Sequence, residues 1–215
     1  MQKVYKILIF TDLDGSLLHR DTFKFDEIKD YLKQLISKGI FIIPNTSKTE
    51  KEILEFNNEL GSSLPYISEN GASIKGLDLL NSNLPKELIL SREKDNLINI
   101  FEKSVPVNLQ NKCKWLSKMD KKKQSIIFGL KDEKLNMALD RKYTIPFIFE
   151  GNKGEKKELY KIVKKKGLAL QEGGRVINLT DRVNKAKALQ VFVRFFKKKN
   201  QNVKTIAVGD NYNDL

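Results

Sequence analysis

The first 72 residues alternate between short apolar runs and amphipathic segments, and this alternation limits the chain to few folds. Residues 7–11, 40–44 and 64–68 are apolar runs of strand length. Residues 25–37 and 49–60, which separate them, carry apolar residues at helical spacing. Strands that alternate with helices through short connections form a parallel sheet with helices on both faces. The pattern therefore predicts an α/β fold.

The pattern changes after Asn70-Gly71, where the chain becomes rich in lysine and mixes helical with strand-like segments. The helical segments are residues 93–103, 132–142 and 155–166, and the strand-like ones are 146–150, 168–171 and 176–179. The first pattern then resumes with a helix over 184–198 and a strand over 203–208. We therefore predict a core domain of residues 1–73 and 182–215 that is interrupted by an α+β insertion of residues 74–181.

The chain has a formal net charge of +13, which could indicate a nucleic-acid-binding protein. Its lysines, however, lie in short scattered runs without interleaved aromatic residues, so we favour solvated helix faces that also attract anionic substrates. No apolar run approaches the ~20 residues that span a bilayer. Cys113 is the only cysteine, which excludes an internal disulfide framework. We expect a cytoplasmic protein with no membrane partner, and nucleic acid is not the expected ligand.

Asp12-Leu13-Asp14-Gly15 directly follows the first predicted strand. Alternate residues of an extended chain face the same side, so Asp12 and Asp14 can share one space, and Gly15 allows a sharp turn. Two carboxylates this close repel each other unless a cation lies between them, and hard oxygen ligands suit Mg²⁺. The alternative interpretation is a surface turn, because Asp-Gly pairs are common in turns.

Thr46 ends the second predicted strand, just before a predicted helix. Hydroxyl groups and free backbone N–H groups at a helix N-terminus can bind a phosphate. The alternative is an ordinary helix cap formed by Ser47 or Thr49.

Two further polar groups accompany the last predicted helix and strand. Lys185 begins the helix and could hold a phosphate oxygen while offsetting the carboxylates, although the chain has many solvated lysines. Residues 209–214, Gly-Asp-Asn-Tyr-Asn-Asp, form an acidic loop after the last strand, in which Asp210 and Asp214 are candidate metal ligands.

These four motifs, in this order, are similar to those of the haloacid dehalogenase superfamily. A further set resembles the pattern of mannosyl-3-phosphoglycerate phosphatases, namely Thr46-Ser47-Lys48-Thr49, Glu69-Asn70-Gly71-Ala72, Arg141-x-Tyr143-x-x-Pro146-Phe147 and Gly173-Gly174-Arg175. The sequence departs from that pattern at Ser16, where threonine is usual, at Ile145, where an acidic residue is usual, and at Val176, where an aromatic residue is usual.

The resemblance implies a Rossmann-like core with an inserted α+β cap, and a Mg²⁺-dependent phosphatase that acts on mannosyl- or glucosyl-3-phosphoglycerate. Asp12 would be the nucleophile and Asp14 the general acid and base. The Mg²⁺ ligands would come from Asp12, Asp14, Asp210 and Asp214. The substrate-binding residues would be Thr46, Ser47, Lys48, Asn70, Arg141, Arg175 and Lys185. The two arginines would bind the substrate's carboxylate.

The resemblance also implies that relatives continue beyond the final acidic loop, so we expect a shortened C-terminal edge of the core. Two other functions are considered. The first is another sugar phosphatase of the same superfamily, acting on sucrose phosphate or hexose phosphates. The second is a non-catalytic basic binding protein. The sequence does not decide between the mannosyl and glucosyl substrates. It also leaves the oligomeric state open.

Overall fold

The computed structural model describes residues 5–20, 22–197 and 202–210 and divides into two compact units. One unit consists of Met1–Leu90 with Asn184–Leu215, and the other of Ser91–Val183. Each unit has a separate hydrophobic core.

The elements up to residue 90 are, in chain order, β1 (Lys6–Thr11), α1 (Asp26–Ser37), β2 (Phe41–Pro44), α2 (Glu50–Leu60), β3 (Tyr66–Ser68), β4 (Ser73–Lys75), α3 (Leu77–Leu80) and β5 (Glu87–Ile89). Those of the second unit are α4 (Lys94–Ser104), α5 (Val107–Gln110), β6 (Cys113–Trp115), a 3₁₀ turn (Leu116–Lys118), α6 (Lys121–Phe128), α7 (Asp132–Leu139), β7 (Ile145–Phe149), α8 (Lys153–Lys165), β8 (Leu168–Glu172) and β9 (Ile177–Asp181). The first unit is completed by α9 (Lys185–Lys197) and β10 (Val203–Val208).

A parallel sheet in the order β10-β1-β2 forms the centre of the first unit. Phe10 packs on one face of this sheet with Phe192 of α9, their ring centroids 5.1 Å apart. Ile42 belongs to a separate buried cluster with Ile53 of α2. Burial on both faces explains why the strands are almost continuous apolar runs. The predicted α/β fold with a parallel sheet is confirmed.

The first unit extends further along the chain than the predicted core. β4 pairs with β3 in antiparallel register, with Ile74 opposite Ile67, and β5 pairs with β4, with Leu88 opposite Ile74. This three-stranded meander keeps residues 74–90 in the first unit. The boundary that we predicted at residue 73 therefore moves to residue 90, and the boundary at 181 moves to 183.

The second unit contains an antiparallel sheet in the order β6-β7-β9-β8. Its core includes Phe101 of α4, Phe147 of β7 and Leu159 of α8, all fully buried. The side chain of Trp115 contacts the rings of Phe101 and Phe147 at centroid distances of 5.1 and 5.0 Å. The unit is thus an α+β arrangement, and its role as a cap stays a prediction.

The acidic loop that follows β10 is described only as far as Asp210. Asp214 and the expected shortening of the C-terminal edge lie outside the described residues. Among the residues that are described, no helix combines the length and hydropathy that crossing a bilayer requires.

A bidentate ion pair joins the two ends of the second unit. Arg92 donates from Nε and Nη2 to the two carboxylate oxygens of Asp181, each at 2.8 Å, and the Arg92 backbone N–H donates to the same carboxylate at 3.1 Å. Hydrogen bonds from the Arg92 side chain are the main cause that lowers the pKa of Asp181 to about 2. The pair therefore holds the segment before α4 against the end of β9.

Replacing Asp181 with asparagine should lower the stability of the protein by about 1 kcal/mol at neutral pH, because the paired charge is lost. Since folding depresses this pKa from 3.8 to about 2, the stabilisation is complete above pH 3.8 and disappears as the pH falls through about 2. Thermal unfolding of both proteins over a pH series measures the difference. Glu158→Gln, at an exposed position of α8, is the matched control. A difference that stays constant down to the lowest pH would contradict the prediction.

Candidate functional site

Residues 12–15, here called the aspartate turn, leave β1 at the carboxyl edge of the parallel sheet. The backbone N–H of Asp12 donates to Val208 O at 3.1 Å, which ties the start of the turn to β10. Gly15 has a φ of +79°, a conformation that side chains other than glycine rarely adopt. Asp12 is buried, whereas the side chain of Asp14 is 39% exposed. The two carboxylates therefore lie in different environments at one edge of the sheet, where ligands bind in folds of this type.

A buried ion pair joins the aspartate turn to α9. Lys185 Nζ lies 3.0 Å from Asp12 Oδ2, and the lysine is 3% exposed. Asp12 Oδ1 accepts a hydrogen bond from the Leu13 N–H at 2.8 Å. The Asn45 side-chain amide donates to the backbone carbonyl of Lys185 at 3.2 Å and so fixes the first residue of the helix. The Asp12 carboxylate is thus oriented from two sides and its charge is compensated.

Asp14 is paired with a different lysine. Lys48 Nζ lies 3.0 Å from Asp14 Oδ1 and 3.2 Å from Glu52 Oε1. Burial alone would lower the pKa of Lys48, but the carboxylates of Glu52 and Asp14 outweigh burial and raise it. Lys48 therefore remains a cation between two carboxylates.

The start of α2 is capped by a reciprocal pair of hydrogen bonds. The backbone N–H of Glu52 donates to Thr49 Oγ1 at 3.3 Å, and the backbone N–H of Thr49 donates to Glu52 Oε2 at 2.9 Å. This is a capping box, so the interpretation of this segment as a helix cap is correct for Thr49. Ser47 is half-buried in the loop that precedes the cap.

Thr46 and Asn70 belong to two loops that are hydrogen-bonded to each other. The Asn70 N–H donates to Thr46 O at 3.0 Å, and the Glu69 N–H donates to Lys48 O at 2.9 Å. Thr46 is fully buried, and its hydroxyl accepts from the Lys48 N–H at 3.3 Å. The structure therefore brings the predicted residues Thr46, Lys48 and Asn70 together after β2 and β3.

The loop after β3 has an unusual backbone. Glu69 and Asn70 have φ values of +46° and +60°, and both residues are buried. Gly71 follows at +92°, and a Cβ placed there would meet Asn184 O at 2.3 Å. A conformation of this kind persists only where the surroundings enforce it, as is common at functional sites. Gly71 thus lets the loop approach the residue that precedes α9.

Asp210 lies against the aspartate turn. A Cβ built on Gly15 would come within 2.6 Å of Asp210 Oδ2, so a larger residue at this position would force the carboxylate to shift. Asp12 and Asp210 can supply carboxylate oxygens and Asp14 a main-chain carbonyl, the hard donors that Mg²⁺ prefers. Within the described residues no three acidic, His or Cys side chains converge to hold a cation. The oxygen donors of Asp12, Asp14 and Asp210 nevertheless fit Mg²⁺. The predicted ligand Asp214 lies outside the described residues.

Comparisons with known proteins agree with this geometry. A model of the haloacid dehalogenase-like hydrolases matches residues 9–215. The chain belongs to this family. It is similar to the glucosyl-3-phosphoglycerate/mannosyl-3-phosphoglycerate phosphatase of Persephonella marina, with 31% identity over 97% of this chain and 80% of that protein. It is also similar to the mannosyl-3-phosphoglycerate phosphatase of Pyrococcus horikoshii, with 27% identity over 97% of this chain and 85% of that protein.

A solved structure of a haloacid dehalogenase-like hydrolase from Bacteroides thetaiotaomicron has the same fold. It superposes with a TM-score of 0.67 at 17% identity and covers 99% of this chain and 84% of that chain. At this identity the likeness concerns the fold alone.

The two arginines predicted to bind substrate belong to the second unit of this haloacid dehalogenase-like hydrolase. Arg141 is buried, and its guanidinium donates to Ala138 O at 3.0 Å and to Thr144 Oγ1 at 2.9 Å. Arg175 is exposed and donates to the backbone carbonyl of Phe128. Both side chains thus have partners inside their own unit, and their assignment to the substrate's carboxylate stays a prediction.

Sequence reasoning missed two residues that organise the site. Glu52, which holds Lys48, could have been found, because Thr49 and Glu52 have the spacing of a capping box. Asn45, which holds the start of α9, carries no local pattern that distinguishes it from an ordinary loop residue.

Gly15→Ala should weaken Mg²⁺ binding by roughly tenfold or more, because the new methyl group displaces the Asp210 carboxylate. Gly39→Ala is the matched control, since Gly39 has a φ of +76° and a Cβ there meets nothing within 4 Å. Both variants should lose about 1 kcal/mol of stability, because the new alanine must adopt a positive φ. Calorimetric titration with Mg²⁺ distinguishes them, and equal affinities in the two variants would show that Asp210 is not a ligand.

Proposed function

We propose that the protein is a Mg²⁺-dependent phosphatase that hydrolyses glucosyl-3-phosphoglycerate or mannosyl-3-phosphoglycerate to the glycosylglycerate and phosphate. The observation that carries the proposal is the buried pair of Asp12 with Lys185 beside the more exposed Asp14. Two comparisons support the proposal. The chain is a haloacid dehalogenase-like hydrolase, and it is 31% identical to a phosphatase that is named for these two substrates.

Asp12 is proposed as the nucleophile. Its carboxylate is held by the Leu13 N–H and by Lys185, so that it is preorganised for attack on phosphorus. A bond forms between an Asp12 oxygen and phosphorus while the bond from phosphorus to the glycerate oxygen breaks. The product of this step is an aspartyl phosphate.

Asp14 is proposed to move the protons. It donates a proton to the departing glycerate oxygen in the first step. In the second step it accepts a proton from the water that attacks the aspartyl phosphate, and the bond between phosphorus and Asp12 breaks. The partial exposure of the Asp14 side chain supports this role, because a substrate oxygen and a water molecule must both reach it.

Thr46 and Lys185 are proposed to bind the phosphoryl oxygens. Lys185 already compensates Asp12, and its ammonium group can donate to a phosphoryl oxygen as well. Charge that develops on the phosphoryl group would then meet partners that are already in place. Ser47, in the loop after β2, and Asn70, in the loop after β3, are also proposed to contact the substrate.

Mg²⁺ is the proposed cofactor, held by Asp12, Asp210 and the main-chain carbonyl of Asp14, with Asp214 in support. When bound, it neutralises the carboxylates and the phosphoryl group during transfer. The proximity of Asp210 to Gly15 supports this assignment. The proposed partner is a small phosphorylated sugar-glycerate, and the proposed location is the cytoplasm. A role in the formation of a compatible solute is part of the same proposal.

The test is phosphate release from both glycosyl-3-phosphoglycerates, with sucrose phosphate and hexose phosphates for comparison. We expect hydrolysis that requires Mg²⁺ and is fastest with one of the glycosyl-3-phosphoglycerates. Asp12→Asn should abolish turnover, whereas Asp30→Asn, an exposed position of α1, should leave it unchanged. A preference for sucrose or hexose phosphates would assign the alternative sugar phosphatase function. An active Asp12→Asn variant would exclude Asp12 as the nucleophile.

A further inference from the structure

The environment of Lys48 differs from that of a phosphate-binding lysine. Its ammonium group lies between Asp14 and Glu52, at 3.0 and 3.2 Å, and 5.0 Å from the centre of the Phe23 ring. The ammonium group is therefore already engaged by two acidic side chains and an aromatic ring. A phosphoryl group placed here would have to compete with these partners for the ammonium group.

The contact of Lys48 with Asp14 involves one side of the carboxylate. Oδ1 of Asp14 is buried and is the oxygen that faces Lys48. The Asp14 side chain as a whole is 39% exposed, so its exposed surface lies on other atoms. Lys48 thus holds one oxygen of Asp14 and leaves the rest of the side chain accessible.

Lys48 is itself anchored by a rigid element. Glu52 contacts Lys48 through Oε1, and its Oε2 accepts from the backbone N–H and the hydroxyl of Thr49 at 2.9 and 3.1 Å. These bonds form the capping box of α2. A continuous series of contacts therefore runs from the helix start through Glu52 and Lys48 to Asp14.

Phe23 completes this arrangement on another side. It has a φ of +56°, which is unfavourable for an aromatic residue. Its backbone N–H donates to His19 O at 2.8 Å, so the turn that contains it is hydrogen-bonded. The ring is thereby held near the ammonium group, where cation–π attraction adds to the ion pairs.

We propose that Lys48, which the resemblance placed among the substrate-binding residues, is instead a positioning residue for Asp14 and makes no contact with the substrate. This inference rests on the proposed function, in which Asp14 protonates the leaving group. Proton transfer contributes only when the acid lies within hydrogen-bonding distance of the departing oxygen. The Glu52–Lys48 pair supplies that alignment from α2, because Asp14 itself lies in a turn with a partly exposed side chain.

The test compares kcat/KM of wild type and Lys48→Met on three esters, at enzyme concentrations that make the slowest reaction measurable. The esters are a glycosyl-3-phosphoglycerate, glycerol 2-phosphate and p-nitrophenyl phosphate. The first two release alkoxide-type leaving groups that need a proton, and the third releases a stable phenolate that does not. The second and third lack both the sugar and the carboxylate of the proposed substrate.

A positioning role predicts that kcat/KM falls by about 10- to 100-fold for the first two esters and by less than about threefold for p-nitrophenyl phosphate. Equal losses on all three esters would mean that Lys48 binds the phosphoryl group. A loss confined to the glycosyl ester would mean that it binds the sugar or the glycerate. No loss on any ester would also overturn the proposal.

Three further variants separate positioning from damage to the fold. Glu52→Gln keeps the capping box, in which glutamine is accepted, but removes the charge that anchors Lys48. Its kcat/KM should fall on the same two esters as in Lys48→Met, but by a smaller factor. Lys48→Arg retains the charge and should restore most of the activity. Lys33→Met, at an exposed position of α1, is the charge-matched control and should behave as wild type.

The failure of this inference can be distinguished from the failure of the proposed function. Wild-type protein that hydrolyses none of the esters in the presence of Mg²⁺ would contradict the proposed function, and the inference with it. If the wild type is active but Lys48→Met loses kcat/KM on the three esters in any other proportion, the result would contradict the inference alone.

Discussion

The buried contact between Lys185 and Asp12 is the interaction on which the rest of the site depends. A parallel sheet brings the carboxyl ends of its strands to one edge, and this chain places acidic residues after both β1 and β10. Carboxylates concentrated at one edge repel each other where little water reaches them. Lys185, held at the start of α9 by Asn45, offsets that repulsion through its ion pair with Asp12. The helix is therefore part of the site as well as of the core.

Close backbone approach allows these groups to meet. Gly15 leaves space for the Asp210 carboxylate, and Gly71 leaves space for the carbonyl of Asn184, which immediately precedes Lys185. The strained residues Glu69 and Asn70 lie next to Gly71 and are hydrogen-bonded to the loop of Thr46 and Lys48. Two loops that are distant in sequence are thus connected by main-chain hydrogen bonds. Such connections position functional side chains on a rigid edge of the sheet.

Much of this arrangement could be predicted from the sequence. The apolar runs and helical spacing predicted β1, β2, α1, α2 and the parallel sheet, because buried parallel strands and amphipathic helices have clear local patterns. Asp12, Asp14, Thr46, Lys185 and Asp210 were predicted as candidates because each follows a strand or begins a helix. The strand over residues 64–68 was predicted, but β4, β5 and their antiparallel pairing were not, since strands of three residues show almost no periodicity. The first compact unit therefore extends to residue 90, beyond the predicted boundary at residue 73.

By itself, the sequence determined the class of fold, the order of β1, α1, β2 and α2, and the residue types at the strand ends, because these follow from local periodicity and from motifs of adjacent residues. The tertiary structure alone decided which charged atoms meet. It placed Lys48 between Asp14 and Glu52, Lys185 against Asp12, and Asn45 on the carbonyl of Lys185. Those pairs include residues up to 173 positions apart, counting from Asp12 to Lys185 (185 − 12). Contacts at such separations arise from the packing of α2 and α9 against the sheet, and no local pattern in the chain encodes the distances between their side chains.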